Sequence, residues 1–440
     1  MNPERMRQRI RLFIALNCLA ILTGCAGISR GIAEAVLDST NRKEDTRICY
    51  IRGRPIEGIK TFLDAQEAVA RQGTAKHHIL KVLMVHGIGS HQPGYSTRMA
   101  ENLARALHLD RVQENYKQFR LSFPAFSERD LGILRFSRYL NADTSREMIF
   151  AELTWDPIVE AEKQELAFDN SGEYSFRRTP LNNTLKKFIN DTLPDVLMYK
   201  GTSGPLIQMS VAQTLCWLMT PSWETLPNGG VHYCNGSVPE HLAEIDDEYV
   251  FITHSLGSRV TVDALQWMTE LATAAAKDDP VVEATIRRLR DKRFTVFMLS
   301  NQLPLLQLGQ PLPEVHGRIA EICGPGAPRS DERFFGETHL VAVSDPNDLF
   351  SYAIPPGFLD KYVDSRLCPT LTNVILNIAE VGNVLGGEFA NPLAAHTEYD
   401  NDARVLDIIT GGIGTGHTAP LVTQRCTWLE VVPGTQPKGK

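Results

Sequence analysis

The chain lacks any excess of positive charge. Its 45 lysines and arginines are outnumbered by 52 aspartates and glutamates, for a formal net charge of −7 at neutral pH. The first 24 residues hold four arginines against one glutamate, so the remainder carries about −10. That balance argues against a nucleic-acid partner and against strong attraction to anionic lipid heads. Cysteine is scarce, eight in 440 residues, and no two stand in the C-x-x-C spacing of a zinc site. His77, His78, His86 and His91 likewise match no zinc pattern, so no metal is expected. The run Gly411-Gly412-Ile413-Gly414-Thr415-Gly416 follows no strand and has no Lys-Ser/Thr behind it, which makes it a loop and not a phosphate cradle. No cofactor is implied. Internal repeats are missing too, and the length suits one large α/β domain with an insertion, while also permitting two or three domains.

What is present begins with a targeting segment. Arg5, Arg7, Arg9 and Arg11 precede an apolar run from Leu12 to Leu22, which closes as Leu22-Thr23-Gly24-Cys25. The run is short for a bilayer span and has the flanks of a secretory signal. It resembles a bacterial lipoprotein signal over residues 1–24, with Cys25 as the lipid anchor. Ala26 beside it resembles lipoproteins sent to the outer membrane. The expected location is therefore the cell envelope, on a membrane surface facing the periplasm, held by acyl chains worth roughly 0.8 kcal/mol per buried CH₂. With Cys18 and Cys25 set aside, Cys49, Cys216, Cys234, Cys323, Cys368 and Cys426 remain. An even number in an exported chain permits up to three disulfides of open connectivity, with Cys216–Cys234 the one pairing suggested by proximity. Residues 25–75 read as a tether and the N-terminal edge of a sheet, with a strand at 47–52.

The body, 76–440, is organised around Tyr249-Val250-Phe251-Ile252-Thr253-His254-Ser255-Leu256-Gly257. A short β-prone run leads through a tight turn into a helix whose apolar positions Val260, Ala264, Leu265, Met268 and Leu271 recur at helical spacing. Upstream, His78 to Val85 is an apolar strand ending in His86-Gly87-Ile88-Gly89, followed by a helix over about 95–107. Further strands read at 148–153, 294–299, 339–343, 374–378 and 427–432, and this strand–helix cadence predicts a mostly parallel sheet with helices on both faces. Residues 156–248 read as helical and irregular, without a strand. In that segment Phe188, Met198, Tyr199, Leu215, Trp217 and Leu218 are either its own small core or contacts for an acyl group.

The turn Thr253-His254-Ser255-Leu256-Gly257 resembles the G-x-S-x-G elbow of the α/β-hydrolase superfamily of serine esterases and lipases. It departs at Thr253, where a β-branched residue replaces the first glycine and is expected to crowd the turn. The resemblance implies an α/β-hydrolase fold in which 156–248 is a cap insertion. It also implies an oxyanion hole from the N–H groups of Ile88 and Leu256, with Gly87, and a chain order of serine, acid, histidine. Ser255 is then the nucleophile and His396 the base. The acid is Asp348, or Asp345 directly after its strand, and His417 is a rival base. The implied reaction is acyl transfer from a small-molecule or lipid ester to water through an acyl-enzyme. Two alternatives stand beside it: an acyltransferase with the same triad, and an inactive hydrolase-fold lipoprotein acting as a binding module.

Overall fold

The computed structural model describes residues 49–72, 78–170, 178–219, 222–235, 247–384 and 387–431. The signal segment, Cys25, the tether up to residue 48 and the tail from 432 lie outside the described residues. The chain divides into two compact units. The smaller includes 161–195 and the larger joins Arg47–Glu160 to Val196–Lys440.

In the larger unit eleven strands form one sheet in the order β13-β1-β10-β9-β8-β7-β2-β5-β4-β3-β6. They are β1 Cys49–Gly53, β2 Leu80–Val85, β3 Asp110–Leu121, β4 Ile133–Leu140, β5 Glu147–Thr154, β6 Val231–His232, β7 Glu248–His254, β8 Arg293–Leu299, β9 Glu337–Ser344, β10 Pro369–Leu376 and β13 Cys426–Val431; β11 Val381–Val384 and β12 Gly387–Ala390 make a separate hairpin. The six from β10 to β5 run parallel. Alternate residues of these strands feed two cores. Leu83, Val85, Phe251, Val296 and Met298 face one, and Val82, Met84, Val250, Ile252, Phe297 and Leu299 face the other. A strand buried on both faces has no polar side to show, which is why these stretches read as continuous apolar runs.

Helices cover both faces. On the first lie α5 Gly204–Leu218 and α6 Leu256–Ala275. On the second lie α1 Ile59–Gln72, α2 Thr97–Ala106 and α8 Ala403–Gly411. The remaining long helices are α3 Glu160–Ala167, α4 Pro180–Lys200 and α7 Pro280–Leu289. In the smaller unit Lys163 pairs with Asp195 at 3.0 Å and Arg178 with Asp169 at 2.7 Å, while Leu185, Phe188, Ile189 and Leu193 are exposed. Phe188, one of the candidate acyl contacts, belongs to that unit.

Four features depart from the sequence reading. β1 is not an edge, because β13 pairs outside it. The antiparallel pair β3–β4 occupies a stretch in which the sequence reading placed no strand, and a register shift between Arg111 and Tyr116 interrupts the pairing of β3. The 156–248 segment contains β6, and its α5 belongs to the larger unit. Tyr199, Leu215, Trp217 and Leu218 pack into the core shared with Phe119, Val260 and Leu265, because an apolar helix that meets an apolar sheet face buries it there. Finally, the loop expected before His396 holds the β11–β12 hairpin. All six described cysteines pair, as Cys49–Cys426, Cys216–Cys234 and Cys323–Cys368. The first fastens β1 to the edge strand across 377 residues of sequence.

Candidate functional site

The site lies at the carboxyl ends of β2, β7, β8, β9 and β10, where each parallel strand hands over to a loop or helix. At the end of β7 the backbone turns abruptly. Ser255 has φ 55° and ψ −124°, a sparsely populated region for a residue with a Cβ, and α6 begins at the next residue. Holding such a residue costs on the order of 1–3 kcal/mol and requires surroundings that dictate it. They do so here. Ser255 N–H donates to Leu299 O of β8 at 2.9 Å, and Ser258 Oγ donates back to Ser255 O at 2.6 Å.

Two glycines make the close approach possible. A Cβ on Gly87 would lie 2.5 Å from Ser255 Cβ and 3.0 Å from its Oγ. One on Gly257 would lie 2.5 Å from Val85 O and 2.6 Å from His86 O. Both positions therefore admit only a hydrogen, which is the physical content of His-Gly before and x-Gly after the serine. Thr253 does not crowd the turn. It is still a strand residue, paired with Val85 and Met298, and its hydroxyl donates to Phe297 O at 3.3 Å. A β-branched side chain suits that pleated position.

His396 sits on a short helix, Pro392–Thr397, started by Pro392 and capped by the Asn391 side chain. Its Nδ1 lies 2.9 Å and 3.0 Å from the two carboxylate oxygens of Asp348 and 2.9 Å from Ser300 Oγ. Ser300 donates its own proton to Asp348 Oδ2 at 2.6 Å. Every partner of Nδ1 is then an acceptor, so Nδ1 carries the proton and Nε2 presents a lone pair. Burial raises the carboxyl pKa of Asp348, but hydrogen bonds and charge from His396, then Ser300 and the Phe350 N–H, outweigh it and hold the group below its usual range. Ser300 itself has φ 51° and follows Leu299, the residue whose carbonyl receives Ser255 N–H. Ser300, Asp348 and His396 thus form one buried hydrogen-bonded group. Ser255, also buried, adjoins it through the backbone bond to Leu299, and among the described residues no hydrogen bond joins Ser255 Oγ to His396.

Asp345 faces elsewhere. Its carboxylate accepts from the N–H groups of Ile378 at 2.6 Å, Ala379 at 3.1 Å and Asn347 at 2.7 Å, tying the end of β9 to the end of β10. His417 lies 3.6 Å from Asp64 of α1 and is not among the partners of Ser255. His86 accepts from Trp155 N–H at Nε2, 3.1 Å, leaving Nδ1 to donate to Gly87 O at 2.9 Å. Its ring stacks between those of His91 and Trp155 at 4.1 and 4.5 Å. That side chain props the turn. Ile88 lies half-buried in the same turn. Leu256 is the first residue of α6, where an N–H has no partner within its own helix. Among the described residues no three His, Cys, Asp or Glu side chains converge as a metal site would require.

Three participants carried no signal in the motif itself. His254 donates from Nε2 to His396 O at 2.7 Å. Burial above all, and then the charge of His396, push its pKa down to about 3, so it is neutral and serves as a strut. Ser300 and Gln302 follow β8 directly, and Gln302 Nε2 donates to Ser255 Oγ at 2.8 Å. A polar Ser-Asn-Gln run at the carboxyl end of a parallel strand beside the serine strand was the available clue. Around the cluster, Leu349, Tyr352 and Leu393 are exposed on the segments that carry Asp348 and His396, and the ring of Phe350 lies 5.6 Å from that of His396. No family model matches the chain, and comparison with curated proteins and with solved structures finds no match to either.

Proposed function

We propose that the protein is a serine hydrolase of carboxylic esters with an α/β-hydrolase type of core. The observation that carries this reading is the Ser255 backbone, forced to positive φ between a buried strand and a helix, beside an Asp348–His396 pair whose tautomer leaves Nε2 basic. A serine hydroxyl needs such a base, and a base needs such an orienting carboxylate. Ser255 Oγ attacks the ester carbonyl while its proton passes to His396 Nε2. Collapse expels the alcohol, which takes that proton, and water then repeats the sequence to release the acid. Asp348 keeps Nδ1 protonated and balances the imidazolium. The N–H groups of Leu256 and of the Gly87–Ile88 turn hold the oxyanion, and one such donor is worth about 10²–10³ in rate. In the free protein Ser255 Oγ is engaged by Gln302, and the hydrogen bond from Ser255 Oγ to His396 Nε2 that proton transfer requires forms once substrate is bound. Exposed Leu349 and Leu393 beside the cluster favour esters with an apolar acyl part, including lipids. Lipidation at Cys25 keeps the enzyme on the envelope membrane where such esters reside.

Labelling with a fluorophosphonate, which traps only an activated serine, tests the reading. Wild type should label, and Ser255→Ala and His396→Ala should not. Silence of the folded wild type, with and without detergent, would sink the proposal and leave a binding module in its place.

A further inference from the structure

The side chain that touches the serine oxygen is one the mechanism above leaves unused. Gln302 is 2% exposed, and its Nε2 stands 2.8 Å from Ser255 Oγ. The turn that carries it is anchored on both sides. Asn301 donates from Nδ2 to Tyr352 O at 2.6 Å, and Tyr352 N–H returns a bond to Asn301 O at 2.8 Å. The Gln302 backbone N–H reaches Ser258 Oγ at 3.4 Å, and Ser258 is bonded in turn to Ser255 O. Further along, Gln307 Oε1 accepts from Arg259 Nη1 at 2.5 Å, fastening the segment to α6 one turn past the serine. A buried carboxamide on so braced a turn is set where Ser255 places its oxygen.

We propose that Gln302 is a catalytic residue whose amide N–H stabilises the negative charge on Ser255 Oγ as the carbon–Oγ bond forms and breaks. The inference rests on the serine-hydrolase reading. In acylation, an Oγ lone pair makes the bond to the carbonyl carbon, the hydroxyl proton goes to His396 Nε2 and the carbonyl π pair moves onto oxygen. In deacylation, water adds to the acyl carbon and gives its proton to Nε2. The carbon–Oγ bond then breaks, its electron pair returns to Oγ, and Oγ takes the proton back. Gln302 neither gains nor loses a proton in either half. Its donor faces the attacking and departing oxygen, whereas the Leu256 and Ile88 N–H groups serve the carbonyl oxygen. A neutral donor gains strength as its acceptor becomes charged, most of all in a buried site. The bond is therefore worth more in the transition state than in the free protein.

The test uses the full chain as wild type, Gln302→Met and Gln302→Glu. Fluorophosphonate labelling rates are read together with the burst and steady-state phases of p-nitrophenyl acetate turnover. Gln302→Met keeps the length of the side chain and removes the donor. It should label about 10- to 100-fold more slowly, with a matching fall in kcat and KM within about twofold. Gln302→Glu should be at least as slow at neutral pH. Its deficit relative to Gln302→Met should narrow as pH falls and the carboxyl regains a donor, a response that a merely structural role would not show. Unchanged or faster labelling of Gln302→Met would overturn the proposal, because the amide would then be holding the serine in reserve. If Gln302→Met does not fold, the rates and pH response of Gln302→Glu decide. Failure of the underlying reading is separate and visible, since wild type itself would not label.

Discussion

Asp348→Asn and Asp345→Asn should separate chemistry from architecture. The two carboxylates lie three positions apart on one loop, both buried, yet their partners differ in kind. Asp348 receives the Nδ1 proton of His396 and the hydroxyl proton of Ser300. In Asp348→Asn one oxygen becomes an NH₂ that must face either His396 Nδ1 or Ser300. Facing Nδ1, it drives the ring to the tautomer with the proton on Nε2, which removes the base the proposed mechanism requires. The equivalent change in a studied serine triad lowers kcat about 10⁴-fold, which corresponds to about 5.4 kcal/mol of transition-state stabilisation. Asp345 receives backbone N–H groups of Ile378, Ala379 and Asn347. Asp345→Asn turns one acceptor into a donor against them and should destabilise the fold by about 1–3 kcal/mol, with kcat of the folded fraction within about tenfold of wild type. Steady-state hydrolysis of p-nitrophenyl butyrate, normalised to folded protein and read beside thermal melts, distinguishes the pair. An Asp348→Asn variant within tenfold of wild type, or an Asp345→Asn variant as inactive as Asp348→Asn, would refute the assignment.

Other perturbations have equally definite outcomes. Gly87→Ala places a methyl 2.5 Å from Ser255 Cβ, so fluorophosphonate labelling should fall at least 10²-fold while far-UV circular dichroism is retained. Ser300→Ala removes one of the bonds that hold the Asp348 carboxylate charged and should lower kcat about tenfold, with a displaced acidic limb in the pH–rate profile. Acid should weaken the fold through its buried histidines. His339, bonded to Thr372 Oγ1, is pushed by burial down to about 4, and His254 to about 3. The unfolded chain binds these protons near pH 6.5 and the native chain does not, so stability is full above about pH 6.5 and drains as pH falls towards 4. The loss approaches about 1.4 kcal/mol per pH unit for each group, and for His254 it continues to lower pH because its native value lies lower. Denaturant melts at pH 7 and pH 5 read it, and His339→Gln should flatten the difference. Reduction by dithiothreitol should lower the melting temperature, chiefly through Cys49–Cys426, whose long loop makes its removal worth several kcal/mol. A melt unmoved by reduction would count against that bridge.

The sequence by itself was enough for whatever depends on local order along the chain. The buried parallel strands announce themselves as apolar runs because both of their faces meet helices, and Val82 to Val85 and Val250 to Ile252 are apolar without alternation for that reason. The serine turn was legible from Ser255-Leu256-Gly257 and from His86-Gly87, since close backbone approach demands glycine whatever surrounds it. The six cysteines beyond Cys25 suggested disulfides by their even number. What tertiary structure decided is what depends on direction. Asp345 and Asp348 are equivalent in composition, and only the fold turns one towards backbone N–H groups and the other towards His396. Partners for Cys49 and Cys323 lie 377 and 45 residues away, beyond any local rule. The antiparallel pairing of β3 with β4 brings together segments whose partners only the sheet supplies, and α5 became core because the sheet face beneath it is apolar. Ser300, Gln302 and His254 are polar residues near strand ends, a common circumstance, and their identity as partners of Asp348, Ser255 and His396 exists only once strands β7, β8, β9 and β10 lie side by side. Sequence sets which residues are able to do chemistry, and the sheet's lateral order sets which of them meet, because that order joins segments that the chain keeps far apart.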